Sequence, residues 1–272
     1  AAGCAEIVVA TPNIKNPLIL VAFAECGVKK IYKVGGAQAV AALAYGTESV
    51  ERVDLIAGPG NVFVTLAKKQ VFGDVAVDMI AGPSEILVIA DETADPELVA
   101  ADMLSQAEHD ELAASILVTT SEKLAEEVQK QTIEQANMLP RRDIIEKSLI
   151  NNGAIVLCDN IDEAIEVADK VAPEHLEVCT ENAHDVALRL KNAGAIFVGG
   201  YSPEPLGDYF AGPSHVLPTS GSARFSSVLS VDTFMKKTSY IGYDKDDLLA
   251  GADDIISIAE SEGFGAHANT II

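Results

Sequence analysis

The chain has 272 residues, 49% of them apolar, and its 41 acidic side chains against 19 basic ones give a net charge of −22. That size supports one large or two modest domains with a core, and the negative field argues against nucleic acid or an anionic membrane as partner. Four cysteines without CxxC spacing, no apolar run of membrane-spanning length and no signal peptide point to a reduced, cytoplasmic protein, not a disulfide framework. The chain opens on Ala1-Ala2-Gly3-Cys4 and closes on Thr270-Ile271-Ile272, so both ends read as cut from something longer.

Glu6 to Ala10 reads as a strand, Pro17 to Cys26 as a helix and Lys30 to Val34 as a strand. Gly35-Gly36 opens a helix through Tyr45. Val53 to Ala57 is a strand, the turn Gly58-Pro59-Gly60-Asn61 follows, and Val62 to Phe72 is helical. Val75 to Ile80 and Ile86 to Ala90 are strands separated by Ala81-Gly82-Pro83-Ser84-Glu85. Next come helix Pro96 to Glu108, strand Ser115 to Thr119, helices Ser121 to Asn137 and Asp143 to Asn151, and strand Ala154 to Cys158. Helix Ile161 to Val171, a short strand Glu177 to Thr180, helix Ala183 to Asn192 and strand Ala195 to Val198 complete the alternation. Gly199 to Thr233 reads as a long irregular binding loop, and Asp246 to Glu262 as one helix. Such alternation predicts an α/β fold: parallel sheets with helices on both faces.

The chemistry centres on Ala172-Pro173-Glu174-His175-Leu176-Glu177. Pro173 restricts Ala172 to extended geometry, which ends the preceding helix and leaves Glu174 and His175 on an ordered turn. There both can face one cavity and divide proton work between a carboxylate and an imidazole. The alternative is a helix C-terminus with a favourably placed His and a solvated Glu.

Gly58-x-Gly60 follows a strand and opens a helix, the setting of a dinucleotide turn whose N–H groups suit a phosphate. Phe63 stands where the fingerprint has its third glycine, so a plain tight turn fits as well. Gln106 and His109, three residues apart near a helix end, could share a metal; a polar helix end is the competing reading. Asp208 and His215 sit in a turn-rich loop, and Glu262 and His267 near the C-terminus, whereas His184 reads as surface.

Taken together, Val34-Gly35-Gly36-Ala37-Gln38-Ala39, Gly58-Pro59-Gly60-Asn61, Ala81-Gly82-Pro83-Ser84-Glu85, Ser105-Gln106-Ala107-Glu108-His109, Pro173-Glu174-His175-Leu176, Gly207-Asp208-Tyr209, Gly212-Pro213-Ser214-His215 and Ala266-His267 resemble the histidinol dehydrogenases in order and spacing. The resemblance implies a zinc- and NAD-dependent oxidation of L-histidinol through L-histidinal to L-histidine. It marks Gln106, His109, Asp208 and His267 as zinc ligands and Glu174 and His175 as the acid/base pair. Ser84, His215 and Glu262 join Gln106, His109, His175, Asp208 and His267 as substrate contacts, with Gln38 and Asn61 as cofactor contacts.

It further implies a homodimer whose C-terminal tail brings Glu262 and His267 to the partner's site. The chain is expected to lack the family's N-terminal portion and so to form incomplete Rossmann-like domains with a small C-terminal helical extension. The expected division is residues 1–85 as the NAD-binding domain, 86–229 as the second half of the larger α/β domain, and 230–272 as the dimer-crossing segment. Two rivals remain: a zinc hydrolase, since zinc with Glu and His also activates water on a carbonyl, and a non-catalytic zinc- or ligand-binding fragment.

Overall fold

The computed structural model describes residues 2–12 and 14–271, so Ala1 and Ile272, at the ends read as cut, lie outside the described residues. The chain runs β1 (Val8–Ala10), α1 (Leu18–Glu25), β2 (Lys30–Tyr32), α2 (Gly36–Tyr45), β3 (Leu55–Ile56), α3 (Val62–Val71) and β4 (Ala76–Val77). β1 pairs with β2 and β3 with β4, each pair parallel and two-stranded. β5 (Glu85–Ala90), α4 (Pro96–Ala107), β6 (Ala114–Thr119), α5 (Glu122–Ala136), α6 (Arg142–Asn152) and β7 (Gly153–Leu157) follow. Then come α7 (Ile161–Val171), β8 (His175–Cys179), α8 (Ala183–Ala187), β9 (Ala195–Val198) and α9 (Glu204–Tyr209). These last five strands form one all-parallel sheet in the order β7-β6-β5-β8-β9.

β5 is apolar along its length because the central strand of a parallel sheet is covered on both faces. Leu87 and Ile89 pack with Ala164, Ile165 and Ala168 of α7 and Val186 of α8. Ile86, Val88 and Ala90 point the other way, onto Val99, Ala100 and Met103 of α4 and Leu124 and Val128 of α5. Each fully buried large side chain in these layers stabilises the fold by about 1.5–3 kcal/mol. The same period of two puts Leu176 and Val178 of β8 into the α7 layer, and sends His175, Glu177 and Cys179 to the opposite face. A smaller core of Val40, Ala44, Ile56, Ala67, Val71 and Val75 joins α2 and α3 to the β3–β4 pair.

The chain divides into two compact units, Ala1–Phe234 and Met235–Ile272. The second contains α10 (Lys245–Ala250), α11 (Ala252–Ser261) and α12 (Gly265–Asn269). Among the described residues no helix is long and apolar enough to cross a membrane.

Four local expectations are corrected. Ala172 is not extended: it adopts φ 50° and ψ 60°, a left-handed C-cap, buried, with its N–H bonded to the Ala168 carbonyl. Closing α7 in this way turns the chain directly into β8, so His175 opens a strand and does not sit on a turn. The stretch from Gly199 to Thr233 is not wholly irregular, since it contains α9 and short 3-10 turns at Ser222–Arg224 and Val231–Phe234. The tail helix is broken at Gly251, which ends α10 and starts α11.

Candidate active site

Two neighbouring side chains are fixed to the backbone of one residue, Glu85, at the N-terminal edge of the large sheet. Glu174 Oε2 accepts from the Glu85 N–H at 3.0 Å, and His175 Nδ1 lies 3.0 Å from the Glu85 carbonyl oxygen. A carbonyl only accepts, so Nδ1 carries a proton and donates. In the neutral ring the lone pair then sits on Nε2. The registry of β5 with β8, Ile86 opposite His175, sets this clamp. Glu174 and His175 are both buried, and the ring lies 6.0 Å from that of Phe197 on β9.

α9 closes the site from the other side. Its first residue, Glu204, gives its N–H to Glu177 Oε1 at 2.8 Å, and its Oε1 stands 3.7 Å from His175 Nε2. Gly207 lets the helix sit this close, because a Cβ there would come within 2.7 Å of the Phe197 ring. Asp208, one turn beyond Glu204, completes a group with it and His175 whose potential ligand atoms all lie within 4.8 Å of one another.

Burial dominates the electrostatics. It pushes Glu174 up to about 8 and Glu204 up to about 7, with the Asp208 charge adding to both. It holds His175 below the usual imidazole value, partly offset by the Glu85 carbonyl and the Asp208 charge. Glu177 is raised to about 9 by burial and then by Asp102. Among the described residues, Gln106 Oε1 and His175 Nε2 are two of five enclosed side-chain polar atoms without a hydrogen-bond partner. The His175, Glu204 and Asp208 group supplies imidazole and carboxylate, donor types that fit a zinc ion, and the orphaned Gln106 amide oxygen is a further oxygen donor.

The sequence profile of histidinol dehydrogenase matches residues 1–272. The chain belongs to the histidinol dehydrogenase family. It is 58% identical over 274 residues to the histidinol dehydrogenase of Clostridium acetobutylicum and 54% identical over 274 residues to that of Bacillus subtilis, covering 99% of this chain in each case. The chain spans 64% of the length of these curated relatives. The crystal structure of histidinol dehydrogenase from Elizabethkingia anophelis superposes with a TM-score of 0.93 at 42% identity, covering 99% of this chain and 63% of that one.

Of the positions that the histidinol dehydrogenase resemblance marks, several converge on the sheet edge. Ser84 immediately precedes the Glu85 clamp, and its hydroxyl partly offsets the effect of burial on Glu174. Gln106 lies in the last turn of α4, and His109 follows just beyond it, its N–H on the Gln106 carbonyl at 3.1 Å. His109, His215 and Asp208 all lie near enough for their charges to act on His175. Glu262 and His267 belong to the C-terminal unit, at the end of α11 and within α12.

Gln38 lies in the first turn of α2, and Asn61 caps α3, accepting from the Phe63 and Val64 N–H groups at 3.1 and 3.2 Å. The turn before Asn61 is held by a buried Lys68–Asp78 ion pair. Asp78 accepts from the Gly58 N–H at 2.8 Å, while Lys68 donates to the Gly58 carbonyl at 3.0 Å. Sequence reasoning missed this pair, and it missed Glu204 and Glu85. The one available signal for Glu204 was its i, i+4 spacing to Asp208, which has meaning only once the segment is known to be helical.

Proposed function

We propose that this chain carries the catalytic, metal and substrate residues of a zinc- and NAD-dependent, four-electron oxidation of L-histidinol through L-histidinal to L-histidine. The supporting observation is the double clamp on Glu85, which leaves His175 Nε2 as an enclosed base beside a carboxyl group able to hold or release a proton near neutrality.

His175 Nε2 takes the hydroxyl proton of the alcohol as the carbon's hydride leaves for the nicotinamide. Glu174 then takes a proton from the water that adds to the aldehyde, and a second hydride leaves to give the carboxylate. Gln106, His109, Asp208 and His267 would hold zinc, whose chemistry when bound is to orient the substrate's imidazole and amine. Ser84, His215 and Glu262 line the substrate alongside them, and Gln38 and Asn61 face the dinucleotide. In this reading the protein is a cytoplasmic homodimer, and Glu262 and His267 serve the partner subunit's site.

The test is NADH formation by the purified chain given L-histidinol, NAD⁺ and Zn²⁺. Two NADH per histidinol, abolished by a chelator and restored by zinc, is the expected result. One NADH per histidinol, or activity indifferent to chelation, overturns the four-electron zinc reading.

A further inference from the structure

The mechanism above uses His175 Nε2 and leaves the carboxyl group facing it unexplained. Glu204 is 3% exposed, and its Oε1 lies 3.7 Å from Nε2. Nε2 itself is enclosed and has no hydrogen-bond partner. A side chain so deeply buried costs stability unless something holds it. Glu204 is held on two sides: its N–H is fixed by Glu177 Oε1 at 2.8 Å, and Ser105 Oγ on α4 lies 3.5 Å from its Oε2. Pro203 and Pro205 flank it and restrict the backbone that carries it. Phe197 lies against the same ring.

We propose that Glu204 is a positioning residue for the reaction's base: it accepts a hydrogen bond from His175 Nε2–H once the substrate's proton has been taken up, and so holds the charged ring in place. This deepens the proposed function and rests on it. In the first oxidation the alcohol's O–H bond breaks, its proton forms the Nε2–H bond, and the C–H pair leaves as hydride to NAD⁺. Nε2 has by then changed from acceptor to donor. Among the described residues, Glu204 Oε1 is the carboxylate oxygen within ion-pair reach of that nitrogen. Nδ1 is already committed to the Glu85 carbonyl, so without Glu204 the charged ring would be anchored at one end only.

The experiment compares the full chain with Glu204→Gln and Glu204→Asp. It measures kcat, KM for L-histidinol, bound zinc, and the ring proton of ¹⁵N-histidine-labelled protein, with the His175 resonance assigned by its loss in His175→Asn. Glu204→Gln is expected to lower kcat roughly 10–100-fold, with KM changed less than about threefold and zinc content unchanged. Glu204→Asp, which keeps the carboxylate one carbon shorter, should recover part of that loss. The Nε2–H resonance of the protonated ring should shift or broaden in Glu204→Gln.

An unchanged kcat in Glu204→Gln overturns the inference. So does zinc lost in step with activity, because Glu204 would then be a metal ligand. If the unaltered chain makes no NADH, the proposed function fails, and the resonance decides this inference alone: no change between the unaltered chain and Glu204→Gln overturns it.

Discussion

At the scale of single residues, the site depends on how the backbone of one residue is used. Glu85 offers its N–H to Glu174 and its carbonyl to His175, and so fixes both members of the pair without a further side chain. Glu174→Gln preserves the size and the amide-oxygen acceptor for that N–H but removes the proton-carrying carboxyl. It should cut kcat by about 10²–10⁴-fold with zinc content and thermal midpoint close to the unaltered protein. Equal loss of zinc and activity would instead give Glu174 a structural role. The Lys68–Asp78 pair makes a different demand. Both side chains are buried, so Asp78→Ala strands a charge and frees the Gly58 peptide. Denaturant unfolding should show a loss of about 3–5 kcal/mol; a loss under 1 kcal/mol would mean that water reaches Lys68. The pair Glu174-His175 was legible in the sequence because its members are adjacent. Glu204 was not, because its meaning comes from partners distant along the chain: Ser105 is 99 residues away.

At the scale of elements, β8 and α9 do most to shape the site. β8 alternates sides, placing Leu176 and Val178 in an apolar layer while His175 and Glu177 face α4 and α9. Glu177 caps the first turn of α9 through the Glu204 N–H, which aims Glu204 and Asp208 at His175. Ligands of open parallel sheets usually sit beyond the carboxyl ends of the strands. Here those ends border a cavity of about 330 Å³ lined by Asp102, Glu177, Cys179 and Gly199, and the Glu174–His175 pair lies at the opposite edge.

The buried Glu177 also sets a pH dependence. Burial and Asp102 raise its folded pKa to about 9 from an ordinary value of 4.5. The folded state therefore retains the proton, and the contribution is complete below about pH 4.5 and lost as pH rises through 9. Glu177→Gln keeps an acceptor for the Glu204 N–H and carries no charge. Its melting temperature should exceed that of the unaltered chain by at least about 2–4 °C at pH 9, with the gap closing toward pH 5. A gap that stays constant with pH would show that Glu177 titrates in the folded state as it does in the unfolded chain. Periodicity made α7 and β9 legible to the residue, whereas α9 was hidden in a segment rich in Gly and Pro. Its six residues hold their helical form through the Glu177 cap and the Phe197 contact, neither of which is local.

At the scale of the whole molecule, the two kinds of sheet differ in how they are supported. β5, β6 and β8 lie inside a five-stranded sheet with apolar layers on both faces. β1 and β2 form a two-stranded sheet with no fully buried residue in either strand, and α1 buries none of its side chains, leaving Leu18, Ile19, Leu20 and Val21 exposed. Two paired strands are marginal in water without a packed face, so local opening there requires little loss of burial. Stability should therefore be graded along the chain. Hydrogen exchange is expected to label the amides of β1, β2 and α1 at least about a hundredfold faster than those of β5, β6 and β8, with the β3–β4 pair between them because it shares the core of α2 and α3. A factor of a hundred corresponds to about 2.7 kcal/mol in opening free energy, well within the range separating frayed from core segments. Uniform protection from Val8 to Val198 would show that the chain opens only as one cooperative unit. The graded result would place the Glu174–His175 clamp in the most slowly opening part of the protein.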